Sequence, residues 1–324
     1  MLSRFARVLS LCLAGEMTPI AAGADPVAAF HAWADTQGAG TTAIAVVREG
    51  DVIAGDNSDR PFDLASNSKV ITALCIAALV DEGALDWDTP LSDALGAPAP
   101  EATLAELVTH TSGIAPDGTQ LRMGLWLNEA TPRHAHVARI VLDRRQQRGT
   151  RGSFQYNNEN YALLGRIVER ATGTTYAEAC RARVLAPAGV EGRLSPRFAA
   201  FAAWGGWRMT MADHARLIAH WFGPGRTIGA DPLAHPHAER GGDAFYGLGM
   251  NYVRLGTGLR MSHAGAISIP FGPKTGAFVV HYPDGTVAAT AYDVAVARPE
   301  QFRRLEHALS EALALSPADT QAAQ

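Results

Sequence analysis

Apolar residues near both ends of the chain follow patterns that predict β-strands. The segment Thr42–Arg48 is apolar and rich in residues that favour strands, and apolar residues return at 52–54 after a turn at 49–51, which predicts a hairpin. Late in the chain, the apolar segments 276–282 and 286–292 flank a Pro-Asp-Gly turn, which predicts two further strands.

Helical patterns dominate the rest of the chain. The apolar run at 70–80 is long enough for a buried helix. Segments that end at Gly or Pro predict three more helices, and a last amphipathic helix is expected near the C-terminus: 162–171, 176–185, 211–222 and 299–315. We therefore expect an α+β fold, with an antiparallel sheet built from both termini, flanking helices and an inserted, mainly helical region. A functional site would lie in the cleft between sheet and insertion.

The length of 324 residues is enough for one large domain. We expect a single domain over residues 25–316, with a sheet region formed by 25–60 and 235–316 and a helical region at 61–234. Residues 317–324 are small and polar and predict a disordered tail.

The composition narrows the class of protein. Hydrophobic residues make up 47% of the chain and charged residues 19%, as in ordinary globular proteins. The net charge is −4 and there is no long run of Lys or Arg, so we expect no nucleic-acid partner. No apolar stretch reaches membrane length, so we expect no stable membrane insertion.

The first 24 residues resemble an export signal. Arg4 and Arg7 form a basic start, residues 8–14 a short apolar core, and residues 22–24 a small-residue cleavage site, although Glu16 interrupts the pattern. We therefore expect a signal peptide at 1–24 and a periplasmic or secreted protein, with a cytoplasmic location as the alternative.

No metal or cofactor site is predicted. The chain has three cysteines and no Cys-x-x-Cys pair. The close histidine pairs His134/His136 and His235/His237 have no acidic or cysteine partners at ligand spacing, so both are interpreted as loop or surface residues.

Ser66 and Lys69 are the first candidate catalytic pair. Residues three apart on a helix lie on one face, so the two side chains would be neighbours. Ser66 would sit at a helix N-terminus, where free N–H groups favour negative charge. A buried lysine loses proton affinity and can then take a proton from a neighbouring hydroxyl. The alternative is a capped helix with an exposed lysine.

Tyr156 and Asn158 lie two apart where a loop enters a predicted helix. A tyrosine beside a lysine ammonium would have its phenolate favoured and would relay the serine proton. Asn158 offers a donor and an acceptor to a substrate amide. The alternative is a packed aromatic residue followed by a helix-capping asparagine.

His263 and Gly265 precede the late strands. His263 is a candidate hydrogen-bond partner for a substrate carboxylate or for the tyrosine oxygen. Gly265 would let a substrate backbone approach a strand edge closely. His110, in the polar segment 107–114, is interpreted as structural.

Together these residues resemble the penicillin-recognising serine hydrolases, specifically the class C β-lactamase-like group of β-lactamases, D-alanyl-D-alanine carboxypeptidases, D-aminopeptidases and serine esterases. Ser66-Asn67-Ser68-Lys69 matches the nucleophile motif of that family. Three segments resemble its other signatures in the same order: 107–114, 149–165 and 246–249. The resemblance spans about 42–292.

The resemblance implies a β-lactamase/transpeptidase-like fold and an acyl-enzyme mechanism without metal or cofactor. Ser66 would attack a carbonyl, with Lys69 and Tyr156 as the proton-transfer pair. The backbone N–H groups of Ser66 and Ala266 would form the oxyanion hole.

The third motif of the family has two candidates in this chain, His263-Ala264-Gly265 and Lys274-Thr275-Gly276. We choose His263, because residues 270–273 are typical of a loop. Lys274 would then be a chance match to the motif or a residue of the cleft rim. Four tryptophans are candidates to line the opening, although aromatic residues are usually core: Trp126, Trp204, Trp207 and Trp221.

The expected function is that of a serine hydrolase acting on small esters or amides, D-amino-acid peptides included. The first alternative is a class C-like β-lactamase. The second is a penicillin-binding or sensor protein with slow or no turnover, or a scaffold protein without catalytic activity. The oligomeric state is left open.

Overall fold

The computed structural model describes residues 25–144, 147–226, 228–256 and 258–315. The predicted signal peptide and C-terminal tail lie outside these residues. Within them, no helix is long and apolar enough to cross a membrane.

Eleven strands are found in the described residues. They are β1 Thr42–Arg48, β2 Asp51–Asp56, β3 Pro61–Asp63, β4 Arg193–Leu194, β5 Trp207–Thr210, β6 His237–Glu239, β7 Ala244–Gly247, β8 Met250–Leu255, β9 Gly258–Ser268, β10 Lys274–His281 and β11 Val287–Tyr292.

Ten α-helices accompany these strands in the same part of the chain. They are α1 Pro26–Thr36, α2 Ser68–Asp81, α3 Leu91–Leu95, α4 Leu104–Val108, α5 His134–Leu142, α6 Asn158–Thr172, α7 Tyr176–Cys180, α8 Ala202–Gly205, α9 Met211–Phe222 and α10 Pro299–Ala312.

The large sheet has eight antiparallel strands in the order β2-β1-β11-β10-β9-β8-β7-β6. Strand β1, from the start of the chain, pairs with β11, from its end, with Val47 opposite Val287. The sheet is thus built from both termini, which confirms the predicted α+β class. Both predicted pairs of strands are present as β1–β2 and β10–β11.

Two layers of side chains pack on the two faces of this sheet. One face carries α1 and α10, whose apolar residues meet those of β10 and β11 in a smaller core. The other face carries α2, α6, α8 and α9 in the main core. The catalytic candidates belong to the second face.

Two parts of the fold differ from the predictions. Helix α1 lies in a segment assigned to the sheet region, although Asp25, which caps the helix, and Pro26 at its first position are helix-start signals. A small sheet of β3, β5 and β4 lies within the region predicted as helical. Its strands have two to four residues, too few for a period-two pattern to be recognised.

Helix α2 confirms the buried helix predicted over 70–80. Eleven of its fourteen residues are buried, so the helix is apolar on all sides and lies between the sheet and the other helices. Lys69, in the first turn of α2, is therefore buried together with the apolar residues that follow it in the helix.

Gly165 lets α6 pack closely on its neighbours. A Cβ at this position would lie 2.7 Å from the Cβ of Ala203 and 2.8 Å from the ring of His134. We expect Gly165→Ala to lower the free energy of unfolding by up to about 2 kcal/mol, because overpacking typically costs about 1–3 kcal/mol and alanine recovers roughly 1 kcal/mol in a helix. Urea unfolding would measure the change.

Gly256→Ala is the control, because a Cβ there meets no described atom within 4 Å. A higher urea midpoint for Gly165→Ala, as at an unconstrained helical glycine, would contradict the packing argument.

Candidate active site

Ser66 lies in a tight turn between β3 and α2. Residues Ala65–Asn67 form one turn of 3-10 helix, and α2 begins only at Ser68. Ala65 has a φ of 48°, in the left-handed region that non-glycine residues seldom adopt. Ser66 thus precedes the α-helix rather than starting it, on a backbone turn held in a strained conformation.

Lys69 lies directly beneath Ser66. Its side chain is fully buried, and its Nζ is 3.3 Å from the Oγ of Ser66. Two further contacts hold the amino group, at 2.8 Å from the Oδ1 of Asn158 and 2.8 Å from the backbone oxygen of Trp204.

Burial lowers the pKa of Lys69 from 10.5 to about 7, against an opposing effect of the negative charge of Asp117. A neutral amine has two N–H donors and one lone pair. The oxygens of Asn158 and Trp204 can only accept, so they take the two N–H groups. The lone pair then remains for the hydroxyl proton of Ser66, as a general base requires.

Tyr156 completes the group around the serine. Tyr156 is 42% exposed, but desolvation of its hydroxyl raises the pKa above the usual value and outweighs an interaction with Ser66 that lowers the pKa. The Nζ of Lys69 lies 4.8 Å from the centre of the Tyr156 ring. The expected phenolate is therefore not favoured, because desolvation of the hydroxyl is the largest effect on its pKa. Tyr156 is a protonated phenol, a proton donor.

The side chain of Asn158 makes its hydrogen bonds mainly within the protein, to Lys69 and Thr119. It is the first residue of α6, and the cap is its neighbour Asn157, whose side chain accepts from the N–H of Glu159. The Oδ1 of Asn158 is taken by Lys69, and its Nδ2 donates to Thr119 over 3.2 Å. Its second amide hydrogen and the second lone pair of Oδ1 are left for a ligand in the cleft, which Asn158 lines.

Asp117 was not identified from the sequence. Its carboxylate accepts hydrogen bonds from the N–H of Asn158 at 3.1 Å and from the N–H and hydroxyl of Thr119. It thereby fixes the start of α6 and places a negative charge near Lys69. The turn-forming Asp-Gly pair at 117–118 was the available signal, but it does not reveal which helix the turn contacts.

His110 is buried against Tyr156 and does more than fill a polar loop. The centres of the two rings are 4.4 Å apart. Its Nδ1 accepts from the backbone N–H of Asn157 at 3.2 Å, and burial holds its pKa well below the usual value. A neutral histidine thus supports the ring of Tyr156 from behind.

His263 lies on β9 and lines the same cleft as Ser66. Its Nδ1 donates to the backbone oxygen of Gly249, so the other nitrogen of the neutral ring is an acceptor. Burial, assisted by the charge of Lys69, lowers the pKa of His263 to about 3. Such a ring carries no positive charge at neutral pH, and the expected hydrogen bond to a substrate carboxylate or to the tyrosine oxygen stays a prediction.

Gly265 has a packing role that the sequence did not predict. It is buried, and a Cβ there would lie 2.7 Å from the backbone oxygen of Leu64 and 2.8 Å from the backbone nitrogen of Ser66. The absence of a side chain lets β9 press against the nucleophile turn itself. The expected close approach of a substrate backbone stays a prediction.

Lys274 stands apart from the cleft. It is exposed at the start of β10, opposite Ser268, and lines a separate depression with Arg60 and Arg208. The structure therefore brings His263 to Ser66 and leaves Lys274 outside. The loop predicted before it holds for 269–273, but Lys274 already belongs to the strand.

The cleft above Ser66 has a volume of about 1050 Å³. One side of β9 pairs with β10 along residues 261–268, whereas β8 pairs with the other side only as far as Ser262. Among the described residues, no strand pairs with 263–268 on that side, so the edge is open there, and Ala266 lines the cleft.

Of the four tryptophans expected at the opening, Trp204 alone lines the cleft. Trp126 and Trp207 are core residues and Trp221 packs against the core, so those three assignments are wrong. In the described ranges, no group of three His, Cys, Asp or Glu is arranged to hold a metal ion.

Known proteins share parts of this sequence and this fold. A family model described as Beta-lactamase matches residues 27–298. Penicillin-binding protein 4* of Bacillus subtilis (strain 168) is 33% identical over 136 residues, which cover 40% of this chain and 29% of that protein. The chain therefore matches less than a third of the length of this relative.

Two solved structures share the fold. A D-stereospecific amidohydrolase from Streptomyces sp. has a TM-score of 0.72 at 18% identity, covering 90% of this chain and 100% of the other. A class C β-lactamase from Rhodobacter sphaeroides has a TM-score of 0.69 at 16% identity, covering 89% and 99%. Identities this low support the fold alone.

The pKa of Lys69 predicts how acylation of Ser66 depends on pH. Because the amine accepts a proton only when neutral, we expect kcat/KM for a nitrophenyl ester to rise about tenfold per pH unit below 7 and to level off above it. Asp117→Asn removes a charge that raises the pKa of Lys69, so its profile should shift to lower pH.

Asp81→Asn is the control for this shift. Asp81 is exposed at the far end of α2, twelve residues or about 18 Å from Lys69 and beyond the screening length at physiological salt. An Asp117→Asn profile that coincides with the Asp81→Asn profile would refute the coupling.

His263 and Lys274 can be distinguished by substitution. We expect His263→Ala to lower kcat/KM by about tenfold or more, because it removes a side chain that lines the cleft. Lys274→Ala should stay within twofold of the parent protein, because this residue lines another depression. Steady-state kinetics would decide, and the opposite ranking would show that the third motif had been assigned to the wrong residue.

Proposed function

Because the chain belongs to the β-lactamase family, we propose that it is a serine hydrolase that cleaves small esters or amides, D-amino-acid peptides included, through an acyl-enzyme. One observation carries the proposal. The hydroxyl of Ser66 lies between a lysine whose pKa is lowered to about 7 and a protonated tyrosine hydroxyl.

In the first step, the Oγ of Ser66 attacks the substrate carbonyl while its proton passes to the neutral Nζ of Lys69. The bond from the carbonyl carbon to the leaving oxygen or nitrogen then breaks. The leaving group takes the proton of the Tyr156 hydroxyl, and Tyr156 is reprotonated from Lys69. The products are an ester of Ser66 and a neutral alcohol or amine, with Lys69 neutral again.

In the second step, water replaces the leaving group. Lys69, with Tyr156, accepts one proton as the water oxygen attacks the ester carbonyl, and that proton returns to the Oγ of Ser66 as the acyl bond breaks. A carboxylic acid is released and the serine is restored. The same two side chains serve both steps, so no metal or cofactor enters the scheme.

The negative charge on the carbonyl oxygen would be held by the N–H groups of Ser66 and Ala266. Contact of Gly265 with the Ser66 turn supports this assignment, because it brings the two backbone segments together. Loss of one such donor typically costs about 10²–10³ in rate.

The open edge of β9 supports amide and peptide substrates. Unpaired backbone groups at 263–268 offer hydrogen bonds to an extended substrate backbone, as in other cases of strand addition. At one end of the cleft, Leu121, Leu125 and Ile269 offer an apolar surface for an acyl chain or side chain.

A penicillin-binding protein with slow deacylation is the second candidate. The likeness to penicillin-binding protein 4* favours it, and the same first step would give a stable adduct with a β-lactam. A dedicated β-lactamase is less favoured, because His263 is neutral and Lys274 lies outside the cleft.

Intact-mass spectrometry with parallel colour release tests the proposal. After brief exposure to p-nitrophenyl butyrate we expect nitrophenol release and a transient butyryl adduct on Ser66. Ser66→Ala should lose turnover by at least about 10³-fold, while Ser68→Ala, whose hydroxyl accepts from the N–H of Trp207, should remain active.

The outcome with nitrocefin separates the alternatives. A persistent adduct without turnover favours a penicillin-binding protein with slow deacylation. Rapid hydrolysis of nitrocefin favours a dedicated β-lactamase. Turnover that survives Ser66→Ala would end the serine-hydrolase assignment.

A further inference from the structure

Two buried cysteines lie on helices that pack together in the main core. Cys75 belongs to α2, and Cys180 is the last residue of α7. Both side chains are fully buried and both thiols are free. The third cysteine of the chain, Cys12, lies outside the described residues. The proposed mechanism uses neither of the two buried thiols.

A hydrogen bond near the cysteines fixes how α2 and α7 face each other. The hydroxyl of Tyr176 in α7 lies 2.6 Å from the hydroxyl of Thr72 in α2, and the indole of Trp207 donates to the same Tyr176 oxygen over 2.9 Å. Cys75 follows Thr72 by three residues, and Cys180 follows Tyr176 by four. Each cysteine therefore lies on the face of its helix that carries this hydrogen bond.

The two thiols meet at this contact. The thiol of Cys180 interacts with the thiol of Cys75, and both thiols lie close enough to Tyr176 to affect the pKa of its hydroxyl. The fold thus brings together two sulfur atoms from positions about 100 residues apart in the chain.

The chemistry open to this pair is narrow. A structural metal ion usually needs four ligands, and within the described ranges no group of three His, Cys, Asp or Glu is arranged to hold one. Burial raises the pKa of the Cys180 thiol well above its usual value, and the thiolate is the reactive form of a cysteine. The folded, reduced pair is therefore inert, and oxidation has to precede the burial of the thiols.

We propose that Cys75 and Cys180 form a disulfide when the chain folds in the presence of a disulfide oxidant such as oxidised glutathione, and that this cross-link stabilises the fold. One cysteine thiolate attacks the oxidant and releases one thiol, and the second attacks the mixed disulfide and releases the other. Two electrons and two protons pass from the cysteines to the oxidant, which becomes two thiols.

The cross-link would tie the helix that follows Ser66 to α7. The periplasmic or secreted location expected from the sequence would supply an oxidant of this class. The inference does not depend on the proposed function, because neither sulfur takes part in the chemistry of the cleft.

Refolding of the full chain in glutathione buffer, followed by alkylation and tryptic mapping without reduction, tests the cross-link. Trypsin cleaves after Lys and Arg, so Cys75 lies in peptide 70–122 and Cys180 in peptide 171–181. We expect these peptides as one species, lighter than their sum by two hydrogen atoms, that separates on reduction. Recovery of both peptides unlinked and alkylated would overturn the proposal.

Urea unfolding measures the effect on stability. Protein refolded with the oxidant should have a midpoint about 1 M higher than protein refolded in dithiothreitol, because the link restricts the unfolded chain. Cys180→Ala cannot form the link, so its midpoint should be the same in both conditions. Equal midpoints for the two forms of the parent protein would reject a stabilising cross-link.

The control moves one cysteine to the opposite face of α2. Ala77 is 5% exposed and follows Cys75 by two residues, which turn a helix by about 200°. The double variant Cys75→Ala, Ala77→Cys keeps the number of thiols and should give no linked peptides. Peptides linked as fully as in the parent protein would show oxidation of the unfolded chain rather than the native contact, and would also overturn the proposal.

Discussion

The amino group of Lys69 is held inside the protein, and the rest of the site is arranged around that constraint. An ammonium there would lack the water that stabilises its charge, so the amine gives up its proton near neutral pH. The acceptors around it then determine its orientation. Asn158 and the backbone of Trp204 take its hydrogens, and the direction left over is the one in which Ser66 lies.

The fold supplies this burial by surrounding the first turn of α2 with three different elements. The start of α6 brings Asn158, the end of α8 brings the carbonyl of Trp204, and β9 closes the remaining side through Gly265. Each element is fixed elsewhere, α6 by Asp117 at its first turn and β9 by its long ladder to β10. The position of the Lys69 amine relative to Ser66 thus results from packing among elements that are far apart in the chain.

Sequence reasoning succeeded where the information was local. The spacing of Ser66 and Lys69 and the apolar run after them fixed the helix, and the order of the motifs led to the family. It failed where the answer depends on burial or on remote contacts. The protonation of Tyr156 is set by desolvation, and Asp117 reaches Asn158 across 41 residues. The strands β3, β4 and β5 were too short to show a pattern.

The half-covered strand β9 has a consequence for the protein's behaviour in a crowded solution. A row of unpaired backbone groups is the surface on which foreign strands pair and aggregates begin, and proteins usually protect it with charge, proline or a bulge. Here such protection would also exclude the ligand. The exposed side chains of Leu121 and Leu125 line the same cleft, so a foreign strand would meet an apolar surface there as well as an unpaired strand edge.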